Sequence, residues 1–183
     1  ERFRIVSQPH PLLGQTAPDF TLADHLDRPT RLTGLTARGP VFVVFYLGYS
    51  CNACIHHLVE LSADVERFAD LGSSIVAISA DPAEQTRQRF EEYGPLPFPV
   101  LSDPAHAVAW QFEAMQAETA ATADGAVGQP ERPLHAALLI DRAGVVRWAY
   151  RGETPFRDTQ AIFAELADLE RCSPRPSPET IGP

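Results

Sequence analysis

Two cysteines separated by two residues, Cys51 and Cys54, are the side chains of this sequence with the clearest chemical potential. Two thiols at this spacing can exchange electrons with a substrate by forming and breaking a disulfide, or one of them can attack a peroxide. A Cys-x-x-Cys pair alone is also compatible with half of a zinc site, or with two small buried side chains. The chain has one further cysteine, Cys172, which cannot complete a second pair, so dithiol or peroxidatic chemistry is the prediction that we carry forward.

The elements around the two cysteines are those that activate a thiol. Residues 41–47 form a continuous apolar run rich in β-branched and aromatic side chains, which predicts a strand buried on both faces. A short turn at residues 48–50 follows. Apolar residues then recur at spacings of three and four, which predicts a helix with one inward face: Cys54, Leu58, Leu61, Val65 and Phe68. Cys54 therefore faces inward and Cys51 lies at the mouth, both at a helix N-terminus, where unpaired N–H groups and a partial positive charge lower a thiol's pKa.

Length, composition and charge restrict the function further. The 183 residues, 44% of them hydrophobic, suffice for one domain with a full core. The net charge of −9 and the absence of lysine argue against nucleic acid and anionic membrane surfaces as partners. No run approaches the roughly eighteen apolar residues of a membrane span, so we expect no membrane insertion of this segment. The cysteine content fits a cytoplasmic or a bacterial cell-envelope protein alike, and a start at Glu1 is compatible with a trimmed N-terminus.

The order of the predicted elements is that of an α/β domain. We expect an extended lead-in over residues 1–14, one domain over 15–172 and a Pro-rich disordered tail over 173–183. Residues 113–131 lack an apolar period, so we interpret them as a flexible insertion. The sequence that starts at Asp81 predicts a helix with Asp81 as its N-cap and proline in the first position. Strands are predicted at residues 17–22, 30–32, 41–47, 74–79, 98–101, 135–140 and 145–150.

The chain from about residue 14 to residue 169 resembles the redoxin branch of the thioredoxin-like superfamily, which includes peroxiredoxins and thiol–disulfide oxidoreductases. The resemblance implies a thioredoxin-like fold in which helices flank a mixed central sheet, with an N-terminal β-hairpin extension, and it implies no cofactor. The residues that carry it are Ala17-Pro18-Asp19-Phe20-Thr21-Leu22, Phe45-Tyr46 before the cysteine pair, Ala77-Ile78-Ser79, Pro99-Val100-Leu101-Ser102-Asp103, and Leu138-Leu139-Ile140-Asp141 followed by Gly144.

Laid on the thioredoxin pattern, Cys51 is the exposed nucleophile and Cys54 the buried resolving thiol of a thiol–disulfide oxidoreductase that cycles a Cys51–Cys54 disulfide. The resemblance then implies a protein or small-molecule disulfide as substrate and a thiol electron donor such as a thioredoxin-type reductant. A proline is expected opposite the pair near residue 135. The sequence has His135 there, and Pro133 is the nearest proline.

Laid on the peroxiredoxin pattern, Cys54 is the peroxidatic cysteine, Cys51 the resolving one, and peroxide the substrate. Three positions depart from that pattern. Leu47 stands where these enzymes have proline, Cys51 where they have threonine, and His135 where they have the arginine that stabilises the thiolate. Ser50 is a nearby residue that could supply the missing hydroxyl, and Arg132 could supply the missing guanidinium.

Several other side chains are expected around the pair. Tyr49 and Ser50 flank Cys51 and are expected to line the entrance. His135 faces the cysteines in the superfamily pattern, where it could stabilise a thiolate or accept a thiol proton, although a purely structural role is the alternative. The histidines that follow Cys54 on the helix are predicted to lie on its solvated side: His56 and His57.

Two other classes of function compete with catalysis. Cys51, Cys54 and His135 are a donor set that soft metals prefer, so copper handling by a thioredoxin-fold protein is one alternative. The other is a redox-inactive adaptor that keeps the fold as a binding surface.

Overall fold

The central strand of the sheet is the apolar run that leads to the cysteines. In the computed structural model, which describes residues 10–117 and 131–172, all five residues of this strand, Val41–Phe45, are buried. The elements in chain order are β1 Thr21–Asp24, β2 Pro29–Arg31, α1 Leu32–Thr36, β3 Val41–Phe45, α2 Asn52–Ala63, α3 Val65–Asp70, β4 Ser74–Ser79, α4 Ala83–Tyr93, β5 Val100–Ser102, α5 Ala107–Gln111, β6 Met115–Ala117, β7 Glu131–Pro133, β8 His135–Ile140, β9 Val146–Gly152 and α6 Thr159–Cys172.

The main sheet has seven strands in the order β2-β1-β5-β4-β3-β8-β9. Strands β3, β4 and β5 are parallel neighbours, whereas β8 pairs antiparallel with β3 and with β9. The sheet is therefore mixed, and the thioredoxin-like α/β fold is confirmed. The predicted N-terminal hairpin, β1–β2, extends the same sheet because β1 pairs antiparallel with β5.

Both faces of β3 are covered, which explains its uninterrupted apolar sequence. Val41, Val43 and Phe45 contribute to a core cluster on one face, and Phe42 and Val44 contribute to a second cluster on the other. The second cluster includes the inward residues of α2 and α6, which are Cys54, Leu58, Leu61, Ile162 and Leu166. Burial of such side chains contributes about 1.5–3 kcal/mol each, so the helix that carries the cysteine pair is held firmly on the sheet.

The helix after the cysteines is shorter than the apolar spacing predicts. It ends at Ala63, and a second helix, α3, begins at Val65 after a break at Asp64. The side chain of Asp64 accepts a hydrogen bond from the hydroxyl of Thr159 at 3.0 Å, at the start of α6. The predicted stripe nevertheless continues across the break, because Phe68 is buried in the same cluster as Cys54.

The ends of the predicted insertion form a small ribbon. Strands β6 and β7 pair antiparallel, with Met115 opposite Pro133 and Ala117 opposite Glu131. Residues 118–130 between them lie outside the described residues, as do 1–9 and 173–183, so the flexible insertion, the lead-in and the disordered tail stay predictions. Among the residues described, no helix has the length and apolar character needed to cross a membrane.

Candidate active site

A tight turn carries the chain from the end of β3 to the cysteine pair. Gly48 has a φ of +101°, and a Cβ added there would lie 2.8 Å from Oδ1 of Asp81, so both the backbone conformation and the space require glycine. The N–H of Cys51 donates to the carbonyl of Gly48 at 3.1 Å, which closes the turn. The turn delivers Cys51 to the first position ahead of α2.

Asp81 fixes this turn, a role that the sequence analysis missed. Its carboxylate accepts a hydrogen bond from the N–H of Tyr49 at 2.9 Å and one from the hydroxyl of Ser79 at 3.1 Å. The prediction that Asp81 caps α4 is wrong. The residue before that helix is Pro82, and no side chain caps it, because the Asp81 carboxylate is directed toward the cysteine-bearing loop.

Cys51 caps α2, and its sulfur is joined to that of Cys54 in a disulfide. The Sγ of Cys51 accepts a hydrogen bond from the N–H of Cys54 at 3.2 Å. The described first turn of α2 contains no acidic side chain. The helix N-terminus therefore favours negative charge on the Cys51 sulfur when the disulfide is reduced.

The two sulfurs differ in access to solvent. Cys51 is partly exposed, whereas Cys54 is 0% exposed and belongs to the core cluster between α2 and the sheet. The sulfur of Cys51 is therefore the more accessible of the two from solvent.

His135, the first residue of β8, supplies the side chain that faces both sulfurs. Its Nε2 lies 3.1 Å from Sγ of Cys54 and 3.9 Å from Sγ of Cys51. The imidazole is buried, and burial lowers its pKa, an effect that the nearby backbone carbonyls of Glu153 and Gly152 offset only in part. A neutral imidazole within hydrogen-bond distance of a buried thiol can accept that thiol's proton.

His57 corrects a second prediction, because it is buried instead of solvated. It is 3% exposed, and burial lowers its pKa to about 4. The position in the helix explains the error. His57 lies three residues after Cys54 and one before Leu58, and both neighbours face inward. The spacing was visible in the sequence, whereas the polar side chain suggested the outer face. His56 does lie in solvent, where it pairs with Glu60 at 3.2 Å.

Three other predicted site residues, Tyr49, Ser50 and Arg132, differ in burial and in their contacts. Tyr49 is partly buried, packs edge-on against Tyr46 with ring centroids 6.1 Å apart, and has its pKa raised to about 12 by burial. Ser50 is exposed at the mouth. Arg132 makes an ion pair with Glu153, and its Nη1 donates to that carboxylate at 2.8 Å. The guanidinium is thus held by a carboxylate.

Pro133, the proline nearest to the position that the thioredoxin pattern implies, lies in β7. It belongs to the β6–β7 ribbon and lines a cavity of about 20 Å³ together with Leu47 and Leu134. The side chain that faces the pair is that of His135, two residues later.

The donor atoms of Cys51, Cys54 and His135 lie within 4.8 Å of one another. With the sulfurs joined in a disulfide, neither carries the negative charge that makes a thiolate a metal ligand. Copper handling therefore concerns the reduced protein alone and stays a prediction. Loss of Cu(I) from the reduced protein to a competing chelator would exclude it.

A groove of about 530 Å³ lies between α2 and α4. Its lining includes Tyr49 and Asn52, which flank the Ser50–Cys51 mouth along the chain, and apolar side chains of both helices, among them Ile55 and Tyr93.

Comparison with known proteins agrees with the fold. Residues 13–149 match the model of the AhpC/TSA family, and this chain belongs to that family. In the solved structure of peroxidoxin BcpB from Mycobacterium tuberculosis, the similarity extends over 88% of this chain and 99% of that one, with 27% identity and a TM-score of 0.71.

Two curated relatives come from the two branches that the sequence resembles. A putative peroxiredoxin of Mycobacterium tuberculosis is 34% identical over 99 residues, which cover 54% of this chain and 64% of the relative. The thiol-disulfide oxidoreductase ResA of Geobacillus thermodenitrificans is 31% identical over 91 residues, which cover 50% of this chain and 51% of the relative. The chain thus spans less than two thirds of the length of either of these curated relatives.

Proposed function

We propose that this protein is a thiol–disulfide oxidoreductase that cycles between a Cys51–Cys54 dithiol and the corresponding disulfide. The observation that carries the proposal is the division of the pair by burial. A partly exposed sulfur at a helix N-terminus is backed by a fully buried one, which lies 3.1 Å from a buried imidazole. Membership of the AhpC/TSA family, with relatives named for both peroxiredoxin and thiol–disulfide chemistry, supports a redox role for the pair.

The proposed reaction has two steps. The Cys51 thiolate attacks one sulfur of a substrate disulfide, forms a mixed disulfide and releases the first substrate thiolate, which takes a proton from solvent. Cys54 then gives its proton to Nε2 of His135 and attacks Sγ of Cys51, which releases the second substrate thiolate and closes the internal disulfide. The released thiolate takes a proton from solvent. A thiol donor, for which a thioredoxin-type reductant is our candidate, reverses the closure by the same exchange.

Single-cysteine variants test the roles directly. In a Cys172→Ser background, the reduced protein should reduce a model disulfide, and Cys51→Ser should abolish the reaction. Cys54→Ser should stop after the first step and accumulate a mixed disulfide on Cys51, which mass spectrometry detects. An unchanged rate for Cys51→Ser would remove Cys51 as the nucleophile.

A second candidate, peroxide reduction, is favoured by the family membership and by the peroxiredoxin relative. In this reaction the Cys54 thiolate attacks a peroxide oxygen, which yields an alcohol or water and a sulfenic acid on Cys54. The Cys51 thiol then condenses with the sulfenic acid, releases water and forms the same disulfide. The site offers less for this chemistry, since Cys51 replaces a hydroxyl and the Arg132 guanidinium is paired with Glu153.

Stopped-flow oxidation by hydrogen peroxide separates the two candidates. A peroxidase predicts that Cys51→Ser still reacts rapidly and leaves a sulfenic acid on Cys54, which dimedone traps. A thiol–disulfide oxidoreductase predicts that the wild-type protein reacts with peroxide no faster than an unactivated thiol. If the reduced wild-type protein failed to form the internal disulfide with either oxidant, the redox-inactive adaptor and copper handling would be the remaining functions.

A further inference from the structure

The groove between α2 and α4 gathers exposed apolar side chains. Of the five large apolar side chains that are exposed in the described part of the chain, two line this groove. They are Val59 on α2, which is 59% exposed, and Tyr93 on α4, which is 72% exposed. The volume of about 530 Å³ lies within the range of about 300–1,000 Å³ that is usual for ligand sites. Exposed apolar side chains in one concave surface indicate a binding site.

The groove begins next to the reactive cysteine. Tyr49 and Asn52 both line it, and the two residues between them in the chain are Ser50 and Cys51. Ile55 lines it too, and its N–H donates to the carbonyl of Cys51 at 3.1 Å, one helical turn away. A molecule whose sulfur reacts with Cys51 therefore has the groove beside its reacting atoms.

The length of the groove limits what fills it. The α2 residues of the lining recur at helical spacing and share one face of the helix: Asn52, Ile55, His56 and Val59. At about 1.5 Å per residue, Val59 lies about 12 Å along the helix from Cys51. An extended peptide covers that distance in about four residues at roughly 3.3 Å each. A disulfide with small substituents would leave Val59 and Tyr93 uncovered.

The charge of the lining differs from that of the whole protein. The chain has 24 acidic and 15 basic residues, yet the described residues that line the groove include the guanidinium of Arg89 and the imidazole of His56 and no carboxylate. Arg89 pairs with Glu92 at 3.3 Å and His56 with Glu60 at 3.2 Å, and both carboxylates lie outside the lining. Exposed pairs of this kind contribute little, so a carboxylate in the groove can compete for Arg89.

We propose that this groove binds the segment of a substrate protein that adjoins its reacting disulfide. The segment is an extended stretch of about four residues, with a large apolar side chain between Val59 and Tyr93 and an acidic side chain near Arg89. This inference rests on the dithiol–disulfide function proposed above and adds the class of substrate to it. The reaction at Cys51 is the one already described, and the groove supplies binding alone.

The test uses the full reduced chain with Cys172→Ser and heptapeptides whose central cysteine is joined by a disulfide to thionitrobenzoate. The Cys51 thiolate attacks the peptide sulfur, forms a disulfide with the peptide and releases the thionitrobenzoate anion, which is the better leaving group and is followed by stopped flow. One peptide has leucine at both ends and the other serine, and both have aspartate beside the ends. We expect the leucine peptide to react about tenfold faster at low concentration, which corresponds to about 1.4 kcal/mol and to incomplete burial of a leucine side chain.

Variants in the two walls of the groove locate the effect. Val59→Ser on α2 and Tyr93→Ser on α4 should each reduce the leucine-to-serine rate ratio from about tenfold to about twofold, because each removes one side of the apolar contact. Leu26→Ser is the matched control, since Leu26 is 50% exposed and lies between β1 and β2, and it should leave the ratio unchanged.

A third peptide, with lysine in place of aspartate, tests the charge of the groove. It should react about threefold more slowly than the aspartate peptide at low salt, and Arg89→Gln should remove most of that difference. Added salt should reduce the difference in the same way, because it screens exposed charges.

Equal rates for the leucine and serine peptides in the parent protein would overturn the proposal. So would a loss of the ratio in Leu26→Ser as large as that in Val59→Ser, or a dimer that Val59→Ser dissociates in analytical ultracentrifugation, since a second copy would then occupy the groove. If Val59→Ser did not fold, the comparison of peptides in the parent protein and in Tyr93→Ser would carry the same test. Release of thionitrobenzoate that is as fast in Cys51→Ser as in the parent would instead refute the proposed function, so the two failures are distinguishable.

Discussion

Replacement of His135 by phenylalanine tests whether the imidazole sets the reactivity of Cys54. Phenylalanine fills a similar volume but cannot hydrogen-bond to the sulfur that lies 3.1 Å from Nε2. A hydrogen bond to a charged group contributes about 1.5–3 kcal/mol, and one pKa unit corresponds to about 1.4 kcal/mol. We therefore expect the pKa of the Cys54 thiol to rise by about 1–2 units, which lowers its thiolate fraction near neutral pH by about tenfold to a hundredfold.

The measurement requires Cys54 to be the only reactive thiol. In a protein that carries Cys51→Ser and Cys172→Ser, alkylation of Cys54 by iodoacetamide is followed by mass spectrometry as a function of pH, and the midpoint gives the pKa of Cys54. His56→Phe serves as the matched control, because the His56 side chain is 69% exposed and pairs with Glu60 on the outer side of α2. Thermal unfolding of each variant reports whether the fold is kept.

A Cys54 pKa in His135→Phe that equals the control value would refute the assignment of His135. So would a rise of the same size in His56→Phe, since that residue does not contact the sulfur. His135→Asn retains a donor of similar reach, and a Cys54 pKa between those of wild type and His135→Phe is the expected result.

Three other changes test how the loop and the buried histidine are held. Gly48→Ala should destabilise the protein by at least about 1 kcal/mol more than Gly14→Ala in urea unfolding, because both have positive φ but only Gly48 would meet a carboxylate, that of Asp81. Asp81→Ala should cost about 1–3 kcal/mol by the same measurement, because the N–H of Tyr49 loses its acceptor. The folded-state pKa of His57, about 4, is below the usual 6.5, so stability should fall as pH drops from about 6.5 to 4, by up to about 3 kcal/mol, and His57→Leu should remove most of that loss. Equal destabilisation by Gly48→Ala and Gly14→Ala would contradict the close approach of Gly48 to Asp81. An unchanged free energy of unfolding in Asp81→Ala would contradict the stabilising hydrogen bond to the N–H of Tyr49. The same loss of stability at low pH in His57→Leu as in wild type would contradict the assignment of that loss to His57.

The parts of the fold that follow from local patterns could be predicted from the sequence. A continuous apolar run gives β3 because both faces of that strand are covered, and the spacing of Cys54, Leu58 and Leu61 gives the buried face of α2. The placement of Cys51 before the first helical turn also follows from that spacing. Periodicity is a property of neighbours along the chain, and it locates the cysteine pair without any tertiary information.

The parts of the site that depend on contacts across the sheet could not be predicted in this way. Asp81 has the sequence signature of a helix cap, yet its carboxylate accepts from Tyr49, 32 residues earlier, because β3 and β4 are adjacent and parallel. His57 has a polar side chain at an inward helical position, and the choice between polarity and position was decided by packing. A single sequence shows which residues share one face of a helix, but it does not show which parts of the fold pack against that face.

Burial and the helix N-terminus act in opposite directions on the two thiols, and this opposition orders the proposed reaction. Cys51 is partly exposed and caps α2, so the N–H of Cys54 and the helix dipole favour its thiolate. Cys54 is 0% exposed, and burial in an apolar cluster favours the neutral thiol. In the proposed reaction Cys51 therefore attacks first. Cys54 attacks only after a base inside the protein has removed its proton. The Cα atoms of the pair are 5.2 Å apart, within the about 4.4–6.8 Å range that a disulfide spans, so the second attack can close the ring while the first turn of α2 stays formed.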